Sequence, residues 1–186
     1  MKIHGTAKGG ALSTKDFGVA FGGAAAPSFV CQEATGDYLG LGGASATRTK
    51  AGVRVLNNNE ALGKSVTEIK FYMKKNGSPS GTVNLAVYNG GVDQNVSGSS
   101  INAATELTTS YQLITFTMSA RTIEENDDIV LEGGTVDNDN QVALSEASTN
   151  DTYDDQIGVE NTTNYGWQTG EPYLAERNMY WCHLGS

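Results

Sequence analysis

The residues best suited to chemistry in this chain are oxygen donors concentrated in two polar segments. Segment 137–140 reads DNDN, and segment 151–155 contains three aspartates. Ca²⁺ prefers about six to eight oxygen ligands from carboxylates, carbonyls and amides. Neither segment has the ligand spacing of an EF-hand loop. Two interpretations therefore stay open, solvated loops or a calcium site within the domain or between subunits. The candidate calcium ligands are Asp137, Asp139, Asp151, Asp154 and Asp155.

Four aromatic residues lie in the same polar region of the chain. Exposed rings stack on sugar faces, while neighbouring amides and carboxylates bind sugar hydroxyl groups. The alternative interpretation is that Trp167 and Tyr173 hold a long loop against the rest of the domain. The candidate glycan-binding residues are Tyr153, Tyr165, Trp167 and Tyr173.

Groups suited to catalysis are few. The two histidines are His4, near the N-terminus, and His183, beside Trp181 in a terminal segment. Without a partnered histidine, a serine or cysteine nucleophile has no evident general base. A glycosidase-like pair of carboxylates would have to come from the run Glu124, Glu125, Asp127 and Asp128, which precedes a strand, where carboxylates are ordinarily solvated or cap backbone N–H groups. The sequence predicts a noncatalytic protein that requires no cofactor.

Two cysteines, Cys31 and Cys182, lie near opposite ends of the chain. A disulfide between them would close a long loop and stabilise the fold by about 4 to 5 kcal/mol in the chain-entropy model. The alternative is a pair of buried, unpaired thiols, because free cysteine packs as a small hydrophobe. The spacing of the two cysteines in the sequence does not decide between a disulfide and a pair of free thiols. No CxxC motif is present, which argues against a zinc site.

Composition limits the class of protein. The chain has 186 residues, enough for one well-buried domain, with 23 glycines and a formal net charge of −9. This acidity argues against a nucleic-acid surface, which needs clustered Lys and Arg. No stretch approaches the roughly 20 apolar residues of a membrane span. A glycine-rich, polar composition favours short strands and turns over long helices.

The segment from Thr67 to Asn89 has the clearest secondary-structure pattern. Apolar residues occupy every second position in 69–73 and again in 83–87, on either side of a Gly-Ser-Pro-Ser-Gly break. Period-two alternation predicts two strands of one half-buried antiparallel pair. Gly77 and Gly81 are expected to take positive φ in the connecting turn.

Shorter alternating runs extend this pattern along the chain. They predict strands at 51–56, 111–118, 128–132, 141–145 and 178–184, with a long polar connection over 146–176. About seven or eight strands without a clear amphipathic helix predict an all-β, antiparallel two-sheet β-sandwich for residues 29–186.

Residues 1–28 form a separate Gly/Ala-rich segment. Within it Phe17, Val19 and Phe21 alternate strictly. One interpretation is an unstructured terminus. The other is an N-terminal arm, a strand that pairs with a sheet edge of its own domain or of a neighbour.

Several segments in order resemble a known module. They are TEIKFYMKKNGSPSGTVNLAVYN, LTTSYQLITFTMSARTIEENDDIVLEGG, a strand after an Asn/Asp loop, and YGWQ before a final aromatic strand. Together, over about residues 48–184, they look like a recurrent β-sandwich module of bacterial, archaeal and phage surface proteins. That module has a jelly-roll fold similar to carbohydrate-binding modules and is noncatalytic, which implies a jelly-roll-like fold here. Residues 1–28 have no counterpart in it.

These observations lead to two expectations about function. The first is a structural protein of a virion or extracellular surface appendage, which associates with itself or with other surface proteins through its arm and loops. The second is a carbohydrate-binding or adhesive module that uses the loop aromatics. Both place the protein on a virion or cell surface.

Overall fold

Two antiparallel sheets contain most of the described chain. The computed structural model describes residues 29–31, 34–42, 48–147, 156–163, 166–169 and 181–185. The first sheet contains β1 (Phe29–Cys31), β2 (Ala34–Leu41), β4 (Ser65–Asn76), β8 (Gln112–Thr122), β10 (Gln141–Ala147) and β13 (Trp181–Gly185). The second contains β3 (Arg48–Val55), β5 (Ser80–Asn89), β6 (Val92–Asp93), β7 (Ser100–Asn102), β9 (Asp127–Thr135), β11 (Gln156–Thr162) and β12 (Gly166–Thr169). One helical turn, α1 (Ala103–Glu106), follows β7.

The long strand β4 is the centre of the first sheet. It pairs with β8 along one edge. Along its other edge it pairs first with β13 and then, beyond Phe71, with β10. The strands β1 and β2 pair in turn with β13 and β10. The second sheet has the order β12-β11-β3-β9-β5-β6, and β7 also pairs with β5.

Alternation along the strands builds one core between the two sheets. Inward residues such as Ile69 and Phe71 of β4 and Val53 of β3 are fully buried in the same cluster. The rings of Phe71 and Phe116 meet edge to face at 6.3 Å between centroids. Burial of such side chains contributes about 1.5 to 3 kcal/mol each before the entropy cost of ordering. The prediction of an all-β, two-sheet antiparallel fold is confirmed.

The prediction that the two strands of 67–89 pair with each other is wrong. Among the described strands, β4 pairs only with members of the first sheet, and β5 pairs only with members of the second. The connection between them, where Gly77 has φ 65° and Gly81 has φ 79°, crosses from one sheet to the other. The two apolar rows therefore face each other across the core. Alternation shows which face of a strand is buried, but it does not identify the neighbouring strand.

Arginine side chains join the two sheets at both ends of β3. At its start, Arg48 pairs with the Glu160 carboxylate of β11 and donates from Nη1 to the carbonyl oxygen of Gly40 in β2, at 2.9 Å. At the other end, Arg121 of β8 donates from Nη2 to Oδ1 of Asp127 in β9, at 2.6 Å. The side chain of Asp127 is fully buried. The Arg48–Gly40 and Arg121–Asp127 contacts each link a residue of one sheet to a residue of the other, whereas Arg48 and Glu160 belong to the same sheet.

The polar region after residue 146 contains strands that the sequence did not predict. Strands β11 and β12 form a hairpin that extends the second sheet beyond β3. The predicted arm residues Phe17, Val19 and Phe21 lie outside the described residues. Within the described part of the chain, no helix is long and apolar enough to cross a membrane.

Candidate binding surfaces

The outer face of the first sheet carries a row of aromatic residues around one lysine. We call it the tyrosine–lysine surface and define it by Tyr38, Tyr72, Lys74, Tyr111 and Leu113. Tyr72 and Lys74 alternate along β4 with core residues, which turns them away from the core. Leu113 lies directly opposite Tyr72 in the β4–β8 register. Tyr38 comes from β2, which is separated from β4 by the strand β10 in the same sheet.

Ring contacts connect the members of the tyrosine–lysine surface. The rings of Tyr72 and Tyr111 stack with 5.3 Å between centroids and 19° between planes. Lys74 Nζ lies 4.5 Å from the ring centroid of Tyr111 and 5.8 Å from that of Tyr38. The ring of Tyr38 lies over Gly40, where a Cβ atom would come within 3.4 Å of Cε2. The result is a continuous aromatic row with a cation inside it.

Part of this surface is open to solvent. Tyr38 is 38% exposed and Leu113 is 43% exposed, two of the large apolar side chains that are most exposed among the described residues. Tyrosine supplies a large contact area with a polar tip and is enriched at protein interfaces. The sequence indicated that Tyr72 faces outward, but only the fold brings Tyr111 next to Tyr72 and Tyr38 near Lys74.

A second aromatic contact lies on the outer face of the second sheet. The ring centroids of Trp167 in β12 and Tyr88 in β5 are 4.9 Å apart. Three strands separate β12 from β5, so a flat sheet would hold them roughly 19 Å apart. The second sheet is therefore curled, with this face on its concave side. A Cβ atom at Gly52 of β3 would collide with the carbonyl oxygen of Ile129, which shows how closely the backbones of β3 and β9 approach here.

Trp167 covers a small apolar cluster on the concave face. Beneath it lie Val130, which is fully buried, and Ala86 and Tyr88, which are nearly so. Trp167 itself keeps an intermediate exposure. For Trp167, this packing agrees with the interpretation that it holds the long polar segment against the domain, and it leaves part of the indole open.

Charged pairs surround this cluster. Lys50 Nζ pairs with the Glu132 carboxylate and contacts the Tyr88 hydroxyl at 2.8 Å, and that hydroxyl donates to Glu132 at 2.9 Å. Arg54 holds Asp128 through Nε and Nη2, at 2.6 and 2.7 Å. Burial raises the pKa of the Asp128 carboxyl above its ordinary value of 3.8, while hydrogen bonds and the positive charge of Arg54 act in the opposite direction. The polar groups of this face are thus engaged with one another.

Of the four predicted glycan-binding aromatics, the structure describes Trp167. Tyr153, Tyr165 and Tyr173 lie outside the described residues. Tyr88, which Trp167 contacts, was not among the residues singled out from the sequence. The sequence signal for Tyr88 is its place directly after the apolar row of Val83, Leu85 and Val87, which turns its ring to the opposite face of β5.

The carboxylate of Asp137 is used by its own loop. Oδ1 accepts hydrogen bonds from the backbone N–H groups of Asp139 and Asn140, both at 2.8 Å, and both oxygens accept from Nδ2 of Asn140. These bonds, led by that of the Asn140 amide, lower the pKa of Asp137. Among the described residues there is no group of three or more side chains suited to a metal ion. Asp151, Asp154 and Asp155 lie outside that part of the chain, so the calcium site stays a prediction.

The carboxylate run at the start of β9 has a structural role. Asp127 accepts hydrogen bonds from Arg121, from Nδ2 of Asn89 at 2.9 Å and from the backbone N–H of Glu124 at 3.0 Å. Asp128 is held by Arg54. Both carboxylates are buried and bound by cations of the fold. Glu124 and Glu125, by contrast, are exposed.

The two cysteines occupy opposite positions in neighbouring strands. In the antiparallel pair of β1 and β13, Cys31 is the register partner of Cys182. His183 is the partner of Val30 on one side and of Ile69 on the other.

No protein-family model, curated protein or solved structure matches this chain. The resemblance to surface-protein modules therefore depends on the sequence motifs alone.

Proposed function

We propose that this protein is a noncatalytic structural component that assembles with further copies of itself, as part of a virion or an extracellular surface appendage. The tyrosine–lysine surface is the observation that carries the proposal. It combines exposed apolar area, stacked tyrosine rings and a lysine on one sheet face. The occupant we propose for this surface is a second copy of the chain.

Charge supports a second copy as the occupant. The chain has a formal net charge of −9, yet the outward row of β4 carries two lysines, Lys70 and Lys74, against one carboxylate, Glu68. Exposed carboxylates lie elsewhere on the molecule, at Asp93, Glu124, Glu125, Asp137 and Asp139. A cationic, aromatic face complements an acidic region of the next copy better than it complements itself. Such a head-to-tail contact is heterologous, so it generates rings or filaments rather than a closed dimer.

The setting of the proposal comes from the sequence. The resemblance to jelly-roll modules of surface proteins supports a virion or an extracellular appendage as the location, and the jelly-roll topology belongs to the same proposal. The alternating residues Phe17, Val19 and Phe21 support an arm that adds a strand to a neighbour's sheet edge. Other virion or surface proteins are further candidate partners.

Removing exposed side chains from the tyrosine–lysine surface tests the proposal. The double variant Leu113→Ser, Tyr38→Ser is expected to raise the dissociation constant for self-association at least about tenfold, since central apolar and tyrosine contacts dominate interface energies. The measurement is sedimentation velocity over a concentration series. The melting temperature should stay close to that of the wild type, because both side chains are more than a third exposed.

The matched control is Val92→Ser. Val92 is 65% exposed but lies on the second sheet, away from the tyrosine–lysine surface. This variant should assemble like the wild type. A wild-type protein that stays monomeric at every concentration, or a double variant that assembles normally, would contradict the proposal.

Glycan binding at Trp167 is a second candidate function. The observation in its favour is a partly exposed indole on the concave face of a curled sheet, packed on a tyrosine and flanked by charged side chains. One face of the ring can stack on a sugar while the other packs on the domain.

Retention on a polysaccharide array distinguishes this candidate. Trp167→Ala should abolish retention, whereas Tyr72→Ala, which removes an aromatic ring from the other sheet, should leave it unchanged. Circular dichroism below the melting transition verifies that both variants are folded. Equal retention of the two variants, or no retention of the wild type on any glycan, rejects this function.

A further inference from the structure

The backbone places the two cysteines where a disulfide can form. Cys31 and Cys182 are register partners in the antiparallel pair of β1 and β13. The Cα atoms of directly opposed residues in such a pair are about 4.5 to 5.5 Å apart. A disulfide requires about 4.4 to 6.8 Å between Cα atoms. Sequence spacing left the pairing open, and the strand register supplies the missing proximity.

The same register shows which face of the sheet the cysteines share. Cys182 is the partner of Lys70 in β4, and Lys70 is the partner of Thr115 in β8. Thr115 is exposed and Lys70 is partly exposed, whereas the neighbouring row through Ile69 and Phe116 is fully buried. By register, Cys31 and Cys182 continue the row of Lys70 and Thr115 and not the row of Ile69 and Phe116.

We propose that Cys31 and Cys182 are joined by a disulfide bond in the mature protein. A small-molecule disulfide such as oxidised glutathione supplies the oxidation. One cysteine thiolate attacks it, which forms a mixed disulfide and releases one glutathione thiolate. The second cysteine thiolate then attacks the mixed disulfide, which forms the Cys31–Cys182 bond and releases the second glutathione thiolate. Two cysteine thiols thus lose two protons and two electrons, and glutathione disulfide becomes two glutathione thiols.

The bond would secure the point where the domain begins. Strand β1 has three residues, stands at the end of the strand order and pairs with β13 alone among the described strands. Residues 1–28 precede it directly. A covalent link from β1 to β13, which is itself paired with the central strand β4, stops a pull on the N-terminal segment from peeling β1 off the sheet. The bond also indicates that the protein matures in an oxidising compartment.

Peptide mapping of the full chain tests the bond directly. The protein is folded in a glutathione redox buffer, unfolded with an alkylating agent present, and digested with trypsin without reduction. We expect fragments 16–48 and 178–186, each of which contains one cysteine, to appear as a single linked species. The linked species should disappear on reduction, and no alkylated cysteine should be found before reduction. Alkylation of both cysteines in the oxidised sample overturns the proposal.

Two controls separate this bond from other effects. A mixture of ¹⁵N-labelled and unlabelled chains should give no hybrid linked fragments, and hybrids would show that the bond joins different chains. The melting temperature of the oxidised wild type should exceed that of the Cys31→Ser, Cys182→Ser variant by roughly 10 °C or more, given the length of the closed loop. The reduced wild type should have the same melting temperature as the Cys31→Ser, Cys182→Ser variant. Equal melting temperatures for the oxidised and reduced wild type contradict the clamping role.

Discussion

At the residue scale, Asp128 shows how burial and a fixed cation compete over one carboxylate. Its side chain is completely buried, and Arg54 binds both of its oxygens. Desolvation is the larger effect and raises the pKa of Asp128 above 3.8. The charged form is therefore tolerated in the folded state because Arg54 accompanies it, and not because the site favours ionisation.

This balance predicts a dependence of stability on pH. Because the folded-state pKa of Asp128 lies above the unfolded value, the folded protein takes up this proton first as the pH falls. Between the two values the folded state binds more protons, so Asp128 contributes increasing stability as the pH decreases through that window. We expect the free energy of unfolding of the wild type, relative to Asp128→Asn, to rise between neutral pH and about pH 4. Urea unfolding of both proteins over this range measures the difference. A relative loss of stability on acidification would contradict the prediction.

At the scale of elements, the ion pair of Arg121 and Asp127 joins β8 of the first sheet to β9 of the second. Asp127 has no exposed side-chain area, and its oxygens accept from two other donors besides Arg121. Removing the arginine leaves a buried carboxylate without its cation. Removing both partners replaces the ion pair with an apolar contact, and the remaining cost comes from Asn89 Nδ2 and the Glu124 N–H, which lose their acceptor.

A double-mutant cycle tests this link. Arg121→Met should lower the free energy of unfolding by about 3 kcal/mol, and Arg121→Met combined with Asp127→Leu should cost clearly less than the sum of the single changes. Glu124→Gln is the control, since Glu124 lies 3.8 Å from Arg121 but its side chain is 66% exposed. Its effect should stay within about 0.5 kcal/mol. Additive single changes would mean that Arg121 and Asp127 are not coupled.

At this scale the sequence could identify the buried face of a strand but not the strands that lie beside it. Alternation correctly marked the buried rows of β4, β5 and β8, since one face of each strand meets a single core. It could not show that β4 and β5 belong to different sheets, because neighbours are chosen by pairing across the whole chain. The hairpin of β11 and β12 escaped notice because polar residues such as Asn161 and Gln168 interrupt any apolar alternation. The sequence also could not predict the tyrosine–lysine surface, because its members come from separate elements and alternation does not show which strands are neighbours.

At the scale of the whole molecule, calcium binding is a prediction from the sequence that measurements of stability can test. The loop of Asp137 already satisfies its carboxylate with its own N–H groups. Any site would therefore depend mainly on Asp151, Asp154 and Asp155. If calcium binds there, EDTA should lower the melting temperature or the assembly size, and added Ca²⁺ should restore it. The variant Asp154→Asn, Asp155→Asn should then lose the response while Asp137→Asn keeps it. If EDTA changes neither the melting temperature nor the assembly size of the wild type, the protein has no structural calcium ion.

The division of the chain into an arm and a domain is the second question at this scale. Among the residues whose burial the structure describes, the main core cluster begins at Leu39, and the first described strand begins at Phe29. If the segment 1–28 adds a strand to a neighbouring copy, its backbone hydrogen bonds are made between chains and are absent from the isolated domain.

Deletion of residues 1–28 separates folding from assembly. The shortened chain should keep the cooperative melting transition of the wild type, because it retains every residue of the described core cluster, and should be a monomer by light scattering. The Leu113→Ser, Tyr38→Ser variant, which keeps the arm, then reports the contribution of the tyrosine–lysine surface alone. Loss of assembly after either change alone would mean that the arm and the tyrosine–lysine surface are both required for contact between copies. An unchanged assembly size after the deletion excludes the arm from assembly, and loss of the melting transition would show that residues 1–28 belong to the domain itself.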